Sequence, residues 1–153
     1  MWKSLLVVCL LPGLITGLGP LKKLSDRYFI IAEDVTFIQA MTFCAYYAME
    51  VPSITTAAKN LEIMELFENS TEPYNWFWIA GTYQNTASRS GWTWLTSKED
   101  FAYTNWRASE PTISDEGDTC VRWGHFSSPS LSDGLWSSSP CAGKFADILC
   151  QVL

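Results

Sequence analysis

Cysteine placement constrains this chain more than any other feature. Five cysteines occur in 153 residues, and the first, Cys9, lies inside an apolar stretch from Ser4 to Leu21 that carries no charge. Lys3 precedes that stretch, Pro12 and Gly13 interrupt it, and small residues gather near Thr16 and Gly17. A short basic start, an apolar middle and small residues at the end form the pattern of a secretory signal peptide. An uncleaved anchor is the competing reading, but a membrane span needs about 20 predominantly apolar residues, and Gly and Pro break this one. Residues 1–17 are therefore read as a signal peptide, 18–27 as a short lead and 28–153 as the domain. The mature protein is expected to be secreted and extracellular, with no membrane span.

Once Cys9 leaves with the signal, Cys44, Cys120, Cys141 and Cys150 remain. An even count in an oxidising compartment reads as two disulfides, and four cysteines allow three pairings among which spacing does not choose. No C-x-x-C pair occurs, so zinc and redox readings are weak. Ten Lys and Arg against sixteen Asp and Glu give a net charge of −6 with no basic run, which argues against a nucleic-acid partner. At 48% apolar and 17% charged residues, the chain can bury a core of its own, and its length suits one domain.

Local patterns then suggest elements. Tyr28 to Ile31 is an apolar run that suits a strand. From Thr36 to Met49 the spacing of Phe37, Ala40 or Met41, Cys44 and Ala48 is helical, with Glu33 and Asp34 placed to favour the positive end of the helix dipole. Val51-Pro52 interrupts it. A second helix is expected from an N-cap at Thr55 or Thr56 to about Glu68, burying Ala57, Leu61, Met64 and Phe67. Trp76 to Trp106 holds nine aromatic residues, and Trp92 and Trp94 alternate as on one face of a strand. Such a stripe can stack on sugar rings, but large aromatics dominate small-domain cores, and core is the favoured reading for most. Ser127 to Pro140 is Ser-rich and reads as a long loop bracketed by Cys120 and Cys141.

Several motifs, in order, resemble the C-type lectin-like domain, particularly its compact secreted form familiar from arthropods. Cys44 falls in the first helix. Phe77 to Thr82 (FWIAGT) resembles the family's Trp-Ile-Gly-Leu strand, with Ala80 inserted, and Gly91 to Thr96 (GWTWLT) its Trp-x-Trp strand. Tyr103 to Pro111 (YTNWRASEP) resembles the segment that leads into the ligand loop. Asp118 to Val121 (DTCV), Leu135 to Cys141 (LWSSSPC) and Asp147 to Cys150 (DILC) complete the series. The ordered set, rather than any single motif, carries the resemblance. It implies an α+β chain of C-type lectin-like fold, with two helices, two small antiparallel sheets and a long disulfide-tethered loop. It also implies pairing of Cys44 with Cys150 and of Cys120 with Cys141.

The resemblance further implies a calcium ion that holds sugar hydroxyls, and such an ion needs six to eight oxygen ligands. Carried over residue by residue, Glu110 and Asp118 match two of the family's ligands, and Pro111 matches its proline. Thr112 stands where an asparagine belongs, and Ser137 and Ser138 follow Trp136 where asparagine and aspartate belong. Hydroxyls are poorer ligands than carboxylates, so the implied cofactor, calcium, meets a degraded site. Glu110, Asp115, Glu116 and Asp118 crowd four carboxylates into nine residues, which an ion or plain solvation would relieve. Sugar contact without the full cage would fall to Trp136, Trp123 and loop hydroxyls.

Other constellations are weaker. Asn69-Ser70-Thr71 is a glycosylation sequon, so Asn69 is expected to carry a glycan. His125, the single histidine, invites a triad with the Ser-rich loop and Asp133, but a triad needs rigid mutual reach, and no G-x-S-x-G occurs. His125 is read as a surface or loop residue, and Glu65 and Glu68 as solvent-facing. The expectation is a non-catalytic recognition protein that binds carbohydrate on cells, microbes or glycoproteins. The alternative is a protein-binding module of the same fold without sugar or calcium binding.

Overall fold

The computed structural model describes residues 18–72, 74–115, 117–126 and 134–153. The expected signal peptide, Glu116 and the first half of the Ser-rich stretch, Asp133 included, lie outside the described residues.

The chain runs β1 (Lys22–Lys23), β2 (Tyr28–Val35), α1 (Phe37–Tyr46), β3 (Met49–Glu50), α2 (Ala57–Glu68), β4 (Asn75–Thr86), β5 (Arg89–Trp94), β6 (Thr119–His125), β7 (Trp136–Pro140) and β8 (Ala146–Val152). One antiparallel group sets β2 between β1 and β8, with β3 also on β8. The other runs β5-β4-β6-β7. A short parallel contact, Phe77 opposite Asp147, joins them. Two helices and two small antiparallel sheets are thus the architecture that the sequence implied.

Helix α1 starts where Thr36 caps it. The Thr36 hydroxyl accepts the Gln39 N–H at 3.3 Å, and the Gln39 side chain accepts the Thr36 N–H at 2.9 Å. This reciprocal box satisfies two donors that the first turn cannot. Glu33 and Asp34 do not serve the helix dipole, because both lie in β2. The helix also ends earlier than expected. Ala48 takes a left-handed φ of 55°, and Met49 begins a strand.

Helix α2 begins at the Thr56 cap, whose hydroxyl accepts the Lys59 N–H at 3.2 Å. Its buried stripe is Asn60, Ile63 and Phe67. Only Phe67 matches the expected stripe as a buried residue; Leu61 is 52% exposed. The helix is rotated because Asn60, a polar residue with no hydrophobic signal, is drawn inward. Its Oδ1 accepts the indole N–H of Trp123 and of Trp136, each at 3.1 Å.

Most of the aromatic stripe is core. Trp78, Trp94, Trp123 and Trp136 are each at most 1% exposed. Each large ring removes 150 to 250 Å2 from water on the general scale, roughly 5 kcal/mol of transfer free energy as an upper bound. Trp78 also satisfies its N–H on the Val35 carbonyl at 2.9 Å, tying β4 to the end of β2. Disulfides join Cys44 to Cys150 and Cys120 to Cys141. The first fastens α1 to β8, and the second fastens β6 to the turn after β7.

Two expectations fail locally. Trp136 to Pro140 is not loop but strand β7, paired with β6 from Trp123 opposite Trp136 to Thr119 opposite Pro140. Ser137, Ser138 and Ser139 are buried there, because ladder pairing outweighs the low strand propensity of serine. His125 is no surface residue either: it is 4% exposed on β6, with Phe67 and Tyr74 rings 4.8 and 4.9 Å away. Glu65 and Glu68 do face solvent.

Candidate functional site

The segment before Glu110 is docked on the start of β7. Trp136 N–H donates to the Asn105 carbonyl at 2.8 Å, and Arg107 N–H donates to the Trp136 carbonyl at 3.0 Å. The Glu110 N–H then closes a turn on the Arg107 carbonyl at 3.1 Å, and the Glu110–Pro111 peptide is cis. These bonds lay the Glu110 side chain across Ser137 and Ser138.

Glu110 is met there by four donors. Ser137 Oγ donates to Oε1 at 2.9 Å. Ser138 N–H donates to Oε2 at 3.2 Å, the Ser138 hydroxyl donates to the same oxygen, and Thr112 N–H donates at 3.0 Å. The Thr112 and Ser138 hydroxyls also lie 3.1 Å apart. Burial alone would raise the Glu110 carboxyl, but the Ser138, Ser137 and Thr112 hydrogen bonds outweigh it and hold the group below the ordinary carboxylate range. Each carboxylate oxygen has about two acceptor positions, so the three donors on Oε2 crowd that oxygen, while Oε1 receives Ser137 alone.

A cation backs the cluster. Arg122, on β6, donates to Ser137 Oγ at 3.2 Å and to the Phe145 carbonyl at 3.0 Å, while its guanidinium lies 4.8 Å from the Trp76 ring centre. Burial lowers the affinity of Arg122 for its proton, and the charge of Glu110 offsets part of that. Arg107 lies 5.9 Å from the same ring. The Glu110 surroundings are therefore hydroxyl-rich and edged by guanidinium.

The other expected site residues lie elsewhere. Asp118 is exposed, and its carbonyl accepts the Cys141 N–H at 3.0 Å. Asp118 lines a groove beside the Cys120–Cys141 bond and is not among the partners of Glu110. Trp136 is fully buried, ringed by Trp94, Phe101, Tyr103 and Trp106, so neither it nor the equally buried Trp123 presents a face to a ligand. Trp136 positions Glu110 through its backbone instead. Among the described residues, no three His, Cys, Asp or Glu side chains converge on one point. Asn69 caps the end of α2, exposed, with its amide donating to the Glu65 carbonyl at 2.8 Å. Sequence reasoning missed Asn60 and Arg122, since a lone amide in a helix and a lone arginine in a strand carry no pattern.

Residues 33–152 match the family model for the lectin C-type domain, and the chain belongs to that family. It is 25% identical over 133 residues to C-type lectin mosGCTL-7 of Aedes aegypti, covering 83% of each chain. Among solved structures it resembles the C-type lectin CEL-I from Cucumaria echinata, with a TM-score of 0.64 at 16% identity, over 86% of this chain and 93% of that one. The carbohydrate-recognition domain of the mouse scavenger receptor C-type lectin gives 0.62 at 21% identity, over 86% and 91%. At these identities the structural likeness speaks for the fold. Among the described residues no helix is long and apolar enough to cross a membrane.

Proposed function

We propose that this is a secreted, non-catalytic carbohydrate-recognition protein whose calcium site is degraded. Membership of the lectin family supports the carbohydrate half of that reading. The observation that carries the calcium half is the crowding of Glu110: three donors of its own chain fill Oε2 and a fourth engages Oε1, where an ion would need free lone pairs on the carboxylate. Arg122, one hydroxyl away through Ser137, adds a positive charge that opposes a second cation. Glu110 and Asp118, the two matching ligands, serve separate networks, whereas calcium asks for six to eight oxygens around one point. In this reading sugar hydroxyls meet the exposed Thr112 hydroxyl and the half-buried Glu110 edge directly, with Ser137 and Ser138 holding that edge from beneath. Asn69, exposed on a secreted chain, carries the glycan.

The burial of Trp136 and the self-satisfied Glu110 favour a second reading, a protein-binding module of the same fold that uses neither sugar nor calcium. A glycan array probed with the mature, oxidised protein, with and without chelator, separates the two. Glycan signal that survives the chelator is expected. Signal that the chelator abolishes overturns the degraded site, and silence on every glycan favours protein ligands.

A further inference from the structure

Strand β4 is paired with β5 along its whole outer half, from Gly81 opposite Trp94 to Thr86 opposite Arg89. On its other side the pairing to β6 stops at Thr82 opposite Cys120. From Tyr83 to Thr86, that second edge has no strand partner among the described residues. The cause lies in the incoming chain. Gly117 takes a φ of 126°, a conformation that favours glycine, and Asp118 is tied to Cys141 on the far side of β6. The segment before β6 therefore departs instead of extending along β4.

A groove of about 550 Å3 opens beside this edge. Five consecutive β4 residues, 82 to 86, line it. Because side chains in a strand alternate between faces, five in a row border a groove only when it runs along the strand's edge. Proteins protect such edges with lysine, proline or a covering element. Tyr83-Gln84-Asn85-Thr86 carries no charge and no proline. The groove is also lined by Ile38 and Leu95, 68% and 41% exposed, and by the exposed Asp118, which has no ion-pair partner among the described residues.

We propose that this groove binds an extended peptide segment of another protein, which adds to the free edge of β4 as a new strand. The edge asks for backbone donors and acceptors, which a peptide supplies and a sugar does not supply in register. Ile38 and Leu95 ask for an apolar side chain, and Asp118 for a lysine or arginine. A second copy of this chain is disfavoured as the occupant, since a chain of net charge −6 would bring another Asp118 to the same groove. The site does not involve Glu110 and holds whether or not the protein binds sugar.

The test uses the full oxidised protein, nitrogen-15 labelled, and an acetylated, amidated six-residue peptide of alternating lysine and valine. Binding that slows amide exchange within Tyr83–Thr86 is expected. An alternating glutamate and valine peptide should bind about tenfold more weakly, and Asp118→Asn should erase most of that difference. Backbone N-methylation of the lysine peptide should abolish binding, because it removes the donors that a strand must supply. Three results overturn the proposal: equal binding of the N-methylated peptide, protection that maps away from β4, or exchange protection of the edge in a dimer without peptide.

Discussion

The Glu110 carboxylate accepts the backbone N–H of Ser138 at 3.2 Å, and the Ser138 hydroxyl donates to the same carboxylate oxygen. One serine thus serves Glu110 twice, from a strand position where the family's ligand pattern calls for an acid. At this position the chain has a hydrogen-bond donor to Glu110, and in the proposed reading that donor stands in place of a cation ligand.

Ser138→Ala removes one hydroxyl donor from Glu110 and leaves the backbone bond. It should cost about 1 kcal/mol of stability at neutral pH, discounted for the partial exposure of Glu110. The folded carboxyl sits below its ordinary value, so this stabilisation is present above that value and is lost as pH falls through the folded one. Urea unfolding of both proteins should therefore differ at pH 7 and converge in strong acid. A penalty that persists undiminished in acid would show that Ser138 acts through packing.

Asp147 behaves in the opposite sense. It is 2% exposed at the junction of the two sheets, and burial pushes its carboxyl up to about 6, with the charges of Asp34 and Glu33 adding to the rise and the Asn75 hydrogen bond opposing it. A raised folded value means that its contribution is full below the ordinary carboxylate value and is lost as pH rises through about 6. Asp147→Asn should stabilise the protein at pH 7.5 by about 1–3 kcal/mol and make little difference at pH 4. Denaturation at the two pH values decides it: equal destabilisation at both contradicts the shift.

Asn60 joins two buried indoles to one oxygen. Asn60→Leu leaves the Trp123 and Trp136 N–H groups unpaired in the core and should cost roughly 2–5 kcal/mol. Trp136 also anchors the Asn105–Arg107 segment that aims Glu110, so loss of Asn60 should loosen that segment as well. Hydrogen exchange at Arg107 reads this directly. A near-neutral Asn60→Leu would mean that water or a neighbour replaces the amide.

The two disulfides differ in how much chain they constrain. The Cys44–Cys150 bond spans 106 residues and Cys120–Cys141 spans 21. In the chain-entropy model these are worth about 5 and about 3 kcal/mol. Paired serine substitutions should rank in that order by chemical unfolding, and the reverse order contradicts the model.

Much of this fold was legible in sequence because its signals are large and local. Thr56 marks a helix start, Tyr28 to Ile31 marks a strand, and the tryptophans at 78 and 94 mark the core. What escaped was decided by tertiary contact. Asn60 turned α2 by offering an oxygen to two indoles, and Ser137 and Ser138 entered a strand because β6 pairs with them. At the site, the substitutions at 112, 137 and 138 could be read as losses. That the three replacements would turn on Glu110 and bind it required coordinates.

Calorimetric titration of the oxidised protein with calcium tests the fate of Glu110 most directly. No calcium heat dependent on Glu110 is expected, for wild type and Glu110→Ala alike. Micromolar binding that Glu110→Ala abolishes would mean that the carboxylate leaves its serines for an ion, and the hydroxyl network would then be a resting arrangement of a working calcium site.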